Sequence, residues 1–178
     1  MLHAYQTRAG ATGMLVLLVC LAGVAGPLFA ERASPTSTMT CTAGEAAHTW
    51  GQKLYVPAYS HIYYQNQKRR YLLAVTLSIR NTDERQALQV TSTRYVGAEG
   101  RVLKEFVETP IRLGPLASTE FFVDEHDKSG GLGASFLVEW VAEQPVHAPV
   151  VEAVMVGTAG TQAISFVSPG RVLCQRTP

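Results

Sequence analysis

The stretch Tyr71–Arg80, YLLAVTLSIR, alternates so regularly that it constrains its own backbone. Successive side chains of an extended strand point to opposite sides, so Tyr71, Leu73, Val75, Leu77 and Ile79 share one face while Ala74, Thr76, Ser78 and Arg80 share the other. A strand with one apolar face needs a second layer to cover it. The same period returns along the chain. Ala87–Val96 and Arg101–Val107 read as a hairpin about the Gly97–Gly100 turn, followed by strands at Ile111–Leu113 and Ser118–Asp124. Further strands fall at Ala134–Ala142, Val150–Gly157 and about Gln162–Val167, with Val172–Cys174 as an edge piece. Turn chemistry separates them: Asn81-Thr82-Asp83, Pro110 with Gly114 and Pro115, a polar glycine loop over 125–133, and Pro145 and Pro149 bracketing a connection. No stretch of ten or more residues beyond the N-terminal segment carries an apolar stripe at helical spacing. The pattern predicts an all-β fold, an antiparallel β-sandwich that is immunoglobulin-like in strand number and length, with a small β-barrel as the alternative.

The N-terminus has a different character. Residues 1–13 contain Arg8 and His3 but no acid, and Met14–Ala30 (MLVLLVCLAGVAGPLFA) carries no charge. A basic start, an apolar run and a small residue at its end are the layout of a secretory signal peptide, here cut after Ala30. Leu28, three positions before that cut, is larger than the usual residue there. Two alternatives keep the chain at a membrane: an uncleaved anchor, which Gly23, Gly26 and Pro27 disfavour as a helix, and a lipidated Cys20, whose preceding Val19 is a poor match. Residues 31–51, rich in Ser, Thr, Ala and Gly, read as a flexible leader, leaving 52–178 as one domain.

Composition limits the partners. The formal charge is +1, from 15 basic and 14 acidic residues, and loss of Arg8 with the signal peptide makes the remainder neutral. Neutrality gives no electrostatic reason to expect nucleic acid or an anionic membrane. Export also permits a disulfide. Cys41 and Cys174 would remain after cleavage, and joining them would stabilise the domain by about 5 kcal/mol in the chain-entropy model. The other reading of these residues is two separate thiols.

Two segments offer binding chemistry. In Asp124-Glu-His-Asp-Lys-Ser-Gly-Gly131 the acids Asp124, Glu125 and Asp127 are hard oxygen donors of the kind calcium takes, although their spacing is not that of the twelve-residue calcium loop. His126 and Ser129 have the side chains of a base and a nucleophile, without an identifiable third group. The bland reading is a solvated loop. The second segment holds Tyr55, Tyr59, His61, Tyr63 and Tyr64. Tyr55, Tyr59, His61 and Tyr63 line one face if the strand is unbroken, and Pro57 stands in its path. Rings with polar tips suit sugar, peptide or protein contacts, or simply cover a sheet edge. Gln65–Arg70 reads as a solvated basic turn. Glu139 and Glu152, set in apolar strands, would need Arg80, Arg94 or Arg112 if they faced inward. Phosphate loops, zinc-protease helices and nucleophile elbows are absent from the sequence.

Several separate segments resemble one family in order: Lys53-Leu-Tyr-Val-Pro-Ala-Tyr-Ser-His-Ile-Tyr-Tyr64, Leu77-Ser-Ile-Arg-Asn-Thr-Asp83, Pro115-Leu-Ala-Ser-Thr-Glu-Phe121, Ser129-Gly-Gly131 and Ile164-Ser-Phe-Val-Ser-Pro-Gly-Arg171. They are similar to the bacterial domain of unknown function 3124 family over about residues 52–174. The resemblance implies an exported bacterial protein and brings no activity or catalytic residue with it. The reading reached from residues is a periplasmic or cell-surface β-sandwich that binds an envelope protein or a small extracytoplasmic ligand. Its candidate contact residues are Tyr59, His61, Tyr63, Asp124, His126, Asp127 and Ser129. The alternatives are a hydrolase using the 124–131 loop or the Tyr/His face, and a calcium-stabilised structural module.

Overall fold

In the computed structural model the chain divides into residues 1–35 and 36–178. The structure describes residues 39–40, 48–159 and 162–176, all in the second unit. The expected signal peptide, most of the leader, Cys20 and Cys41 lie outside the described residues.

The described residues form strands throughout. They are β1 (Met39–Thr40), β2 (His48–Pro57), β3 (His61–Tyr64), β4 (Arg69–Leu72), β5 (Ala74–Arg80), β6 (Leu88–Val96) and β7 (Val102–Glu105), then β8 (Ile111–Leu113), β9 (Ser118–Val123), β10 (Ser135–His147), β11 (Val150–Ala159), β12 (Gln162–Pro169) and β13 (Arg171–Arg176). One sheet runs β1-β13-β2-β10-β6-β7, with β8 also on β6; a second runs β12-β11-β5-β9; β3 and β4 form a hairpin. Neighbours are antiparallel in all three. Neither large sheet closes on itself, so the barrel alternative gives way to the sandwich. β5 pairs with β9 in one sheet while their successors in the core, β6 and β10, pair in the other, so the chain crosses repeatedly between layers.

Alternation explains which faces meet. Leu73, Val75, Leu77 and Ile79 are fully buried, as their shared parity predicts, and Tyr71 packs against the same core while remaining half-buried. They meet Leu54 and Val56 of β2, Phe136, Val138 and Trp140 of β10, and Ala153 and Met155 of β11. Burial of each larger apolar side chain contributes about 2 kcal/mol, which is what holds the layers together.

The sequence boundaries shift in three places. Tyr71–Arg80 is two strands: Tyr71 and Leu72 end the β3–β4 hairpin, whose register is carried one step further by the Leu73 N–H donating to the Ser60 carbonyl at 3.1 Å, and from Ala74 the chain pairs with β11 in another sheet. β2 starts at His48 and β1 pairs with β13, so the sheet takes in positions assigned to the leader. β10 continues through Pro145, which sits where its register with β2 shifts between Val141 and Val146. A proline is tolerated there because the irregularity asks for no ladder N–H.

Candidate functional site

The aromatic segment is broken at Pro57, where β2 ends, so its rings do not share a face. Tyr59 packs inward, its ring 5.9 Å from that of Phe166 on β12. His61 is 6% exposed, whereas Tyr63 is 41% exposed and carries the Arg70 guanidinium 5.8 Å from its ring centre. His61 and Tyr63 meet edge to face at 5.2 Å. Burial, with the nearby Arg70 charge second, lowers the pKa of His61 below its ordinary 6.5, so this imidazole is held neutral. Its Nδ1 lies 3.2 Å from Ser60 Oγ, and Nε2 is buried without a hydrogen-bond partner among the described residues.

The acidic loop is tied to this segment. Ser60 donates twice to the Gly131 carbonyl, from its backbone N–H at 3.2 Å and its hydroxyl at 3.1 Å. The structure therefore brings Ser60 and His61 beside the end of the 124–131 loop, which the sequence did not connect. Gly130 lies over Tyr95, and a Cβ there would fall on the phenol oxygen. Burial, helped by the Asp127 charge, pushes the Tyr95 hydroxyl up to about 12. Within the loop Asp124 and Asp127 serve the local backbone, while Glu125 lies 3.9 Å from His126 Nε2. Asp124 accepts the His126 N–H at 2.8 Å and its Nδ1 at 2.9 Å; Asp127 accepts the Ser129 N–H at 2.9 Å and hydroxyl at 2.5 Å. The hydrogen bonds from His126, backbone first, lower the Asp124 pKa. His126 and Ser129 are thus each engaged with a neighbouring acid. Among the described residues no group of three or more His, Cys, Asp or Glu could hold a metal ion.

The two glutamates face outward. Glu139 accepts from Arg94 at 2.6 Å and lies 3.2 Å from Lys53, while Glu152 stands 3.7 Å from Arg80. These half-exposed pairs contribute tenths of a kcal/mol and set register more than stability.

Towards the start of β2 lies a feature that no sequence motif marks. A cavity of about 550 Å³ opens between the sheets, walled by Leu54, Val151, Pro149 and Val172, with Gln52 inside and His147 exposed at the mouth. Several local devices build it. Gly170 crosses from one sheet to the other and donates its N–H to the Val151 carbonyl at 2.8 Å; a Cβ at this position would lie 2.9 Å from that same oxygen, so only glycine passes without displacement. Thr82 Oγ1 donates to the Ala148 carbonyl at 2.9 Å and fixes the β10–β11 bend. Beneath it, Asp83 accepts the N–H groups of Arg85, Gln86 and His147 at 2.9, 2.8 and 3.1 Å. Those donors hold its carboxyl at about 2.

Gln52 is 1% exposed, and its Oε1 has no hydrogen-bond partner among the described residues. The sequence did carry a sign of it: Gln52 shares parity with Leu54 and Val56, a polar residue on an apolar face. Placing the domain boundary at Gln52 concealed that parity.

An antiparallel sandwich with a cavity open between its layers is the class these residues define. The model of the family described as Protein of unknown function (DUF3124) matches residues 51–173, and the chain belongs to that family. No curated protein matches it. A solved structure from Thermotoga maritima, titled "Crystal Structure of Thermotoga maritima 1070", is similar at 12% identity and a TM-score of 0.42, covering 67% of this chain and 91% of that one.

Proposed function

We propose that this protein is an exported binding module, periplasmic or at the cell surface, that holds a small extracytoplasmic ligand between its two sheets. The observation that carries the reading is the cavity of about 550 Å³, whose apolar walls surround one buried polar side chain. Concave sites with mostly apolar walls and a few placed polar groups are the usual form of small-molecule pockets. The N-terminal signal-like segment supports export. Neutral net charge fits an uncharged ligand better than a nucleic acid or an anionic surface.

Native mass spectrometry of protein recovered from the extracytoplasmic fraction tests both halves of the proposal. The expected result is a chain shortened at about Ala30 that carries extra non-covalent mass, lost when Val172→Trp fills the cavity. A full-length chain confined to the cytoplasm would overturn export. Cleaved protein without added mass, which also fails to bind any member of a fragment library, would overturn the ligand reading and turn attention to an envelope protein partner.

A further inference from the structure

We infer that the cavity selects an apolar ligand with an uncharged head group that donates a hydrogen bond, such as a primary carboxamide or a hydroxyl, to Gln52 Oε1. The inference rests on reading the cavity as the ligand site.

The strand register places the two side chains together. Gln52 pairs with Trp140 of β10 on one side and with Gln175 of β13 on the other, so the three form one cross-strand row. All three are buried, with Gln52 at 1% and Trp140 at 0% exposure. Paired residues of antiparallel strands share a face, and here it is the face that packs between the sheets. Gln52 Oε1 is an acceptor and Trp140 Nε1 a donor, and neither has a partner among the described residues. Leaving a buried polar group unmet costs about 1–3 kcal/mol each, whereas apolar residues of like shape would cost nothing of the kind. Of the two, Gln52 lines the cavity, and Trp140 stands behind it as its cross-strand neighbour.

The missing partner must complement Gln52 Oε1, the unpaired acceptor whose residue lines the cavity. A carboxamide or an alcohol offers that donor, and its arrival is felt at Trp140, the cross-strand neighbour of Gln52. No Lys, Arg, Asp or Glu lines the cavity, so a charged head would lose its water without gaining a counter-charge. His147, the one titratable group of the lining, is exposed at the mouth. Leu54, Val151 and Val172 supply the surface for the apolar body.

A matched series sharing one ring tests the assignment: toluene, benzyl alcohol, benzamide and benzoate, each titrated into the mature protein and followed on the Trp140 indole N–H resonance. Trp50→Phe assigns that signal, since Trp50 is the chain's second tryptophan. Benzamide and benzyl alcohol are expected to bind at least tenfold more tightly than toluene or benzoate and to move the Trp140 resonance. Gln52→Leu is expected to bring toluene level with benzamide. The wild-type series decides even if that variant fails to fold. Toluene binding as tightly as benzamide, or bound benzamide leaving the Trp140 signal unmoved, would overturn the head-group inference while leaving the cavity as a ligand site. Failure of the whole series to bind would overturn it together with the cavity reading. A crystal structure with Gln52 Oε1 accepting directly from Trp140 Nε1 would overturn it alone.

Discussion

At the scale of single residues, the clearest determinants are polar side chains that close turns from inside. Asn81 is 2% exposed, and its side-chain amide donates to the carbonyls of Gln86 and Gly114, both at 2.8 Å. Asn81→Ala removes both bonds and is expected to cost about 2 kcal/mol, measured by urea denaturation. Two titrations govern acid stability with the same sign. Asp83 has a folded pKa of about 2 against 3.8, so the stability it contributes is complete above 3.8 and is lost as pH falls towards 2. His61 has a folded pKa below 6.5, so the unfolded chain binds more protons in that window, and stability falls as pH drops below 6.5. Melting temperature against pH is expected to show an upper step absent from His61→Gln and a lower step absent from Asp83→Asn.

At the scale of elements, much was legible because a two-residue period survives translation into structure. Val75, Leu77 and Ile79 could be placed on the buried face from their spacing alone, and Pro57 could be seen to end a strand. Pairing was not legible. That Gln52 neighbours Trp140 and Gln175 depends on segments far along the chain finding each other, and nothing local to Gln52 encodes it. The closeness of Ser60 and Gly131 is hidden for the same reason. The split at Leu73 is hidden likewise, because it is a change of partner: Leu72 pairs with His61 and Ala74 with Val156, in different sheets. Register also bears on the cysteines. Cys174 is disulfide-bonded, while Cys41 lies outside the described residues. Met39 pairs with Arg176 and Thr40 with Gln175, so β1 runs beside the strand that carries Cys174. Peptide mapping without reductant is expected to yield a linked Cys41–Cys174 fragment, and reduction to cost about 2–5 kcal/mol. A Cys174 peptide joined elsewhere would refute the pairing.

At the scale of the whole molecule, the sandwich combines a charged outer surface on one sheet with an uncharged interior opening. Lys53, Glu139 and Arg94 line up across β2, β10 and β6, on the side opposite Leu54, Val138 and Trp140. Binding between the layers has a mechanical implication, because a ligand there touches β2 and β13 of one sheet and β11 of the other. Occupancy is expected to raise the melting temperature with ligand concentration, as for any group that binds only the folded state. A melting temperature unchanged at saturating benzamide would contradict that linkage.

The position of β2 has a temporal side. The first long strand of the domain lies between β10 and β13, the last strand, and cannot complete its hydrogen bonding until both exist. Contacts so distant in sequence delay folding, because loop closure has to precede any gain from pairing. A chain emerging from its N-terminus therefore stays unfinished until Arg171–Arg176 has appeared, and a version ending at Pro169 is expected to remain uncooperative in thermal melts. If the protein is exported as proposed, this order is useful: the last segment to arrive is the one that locks the first, so the thread stays pliable for as long as it is still being passed across.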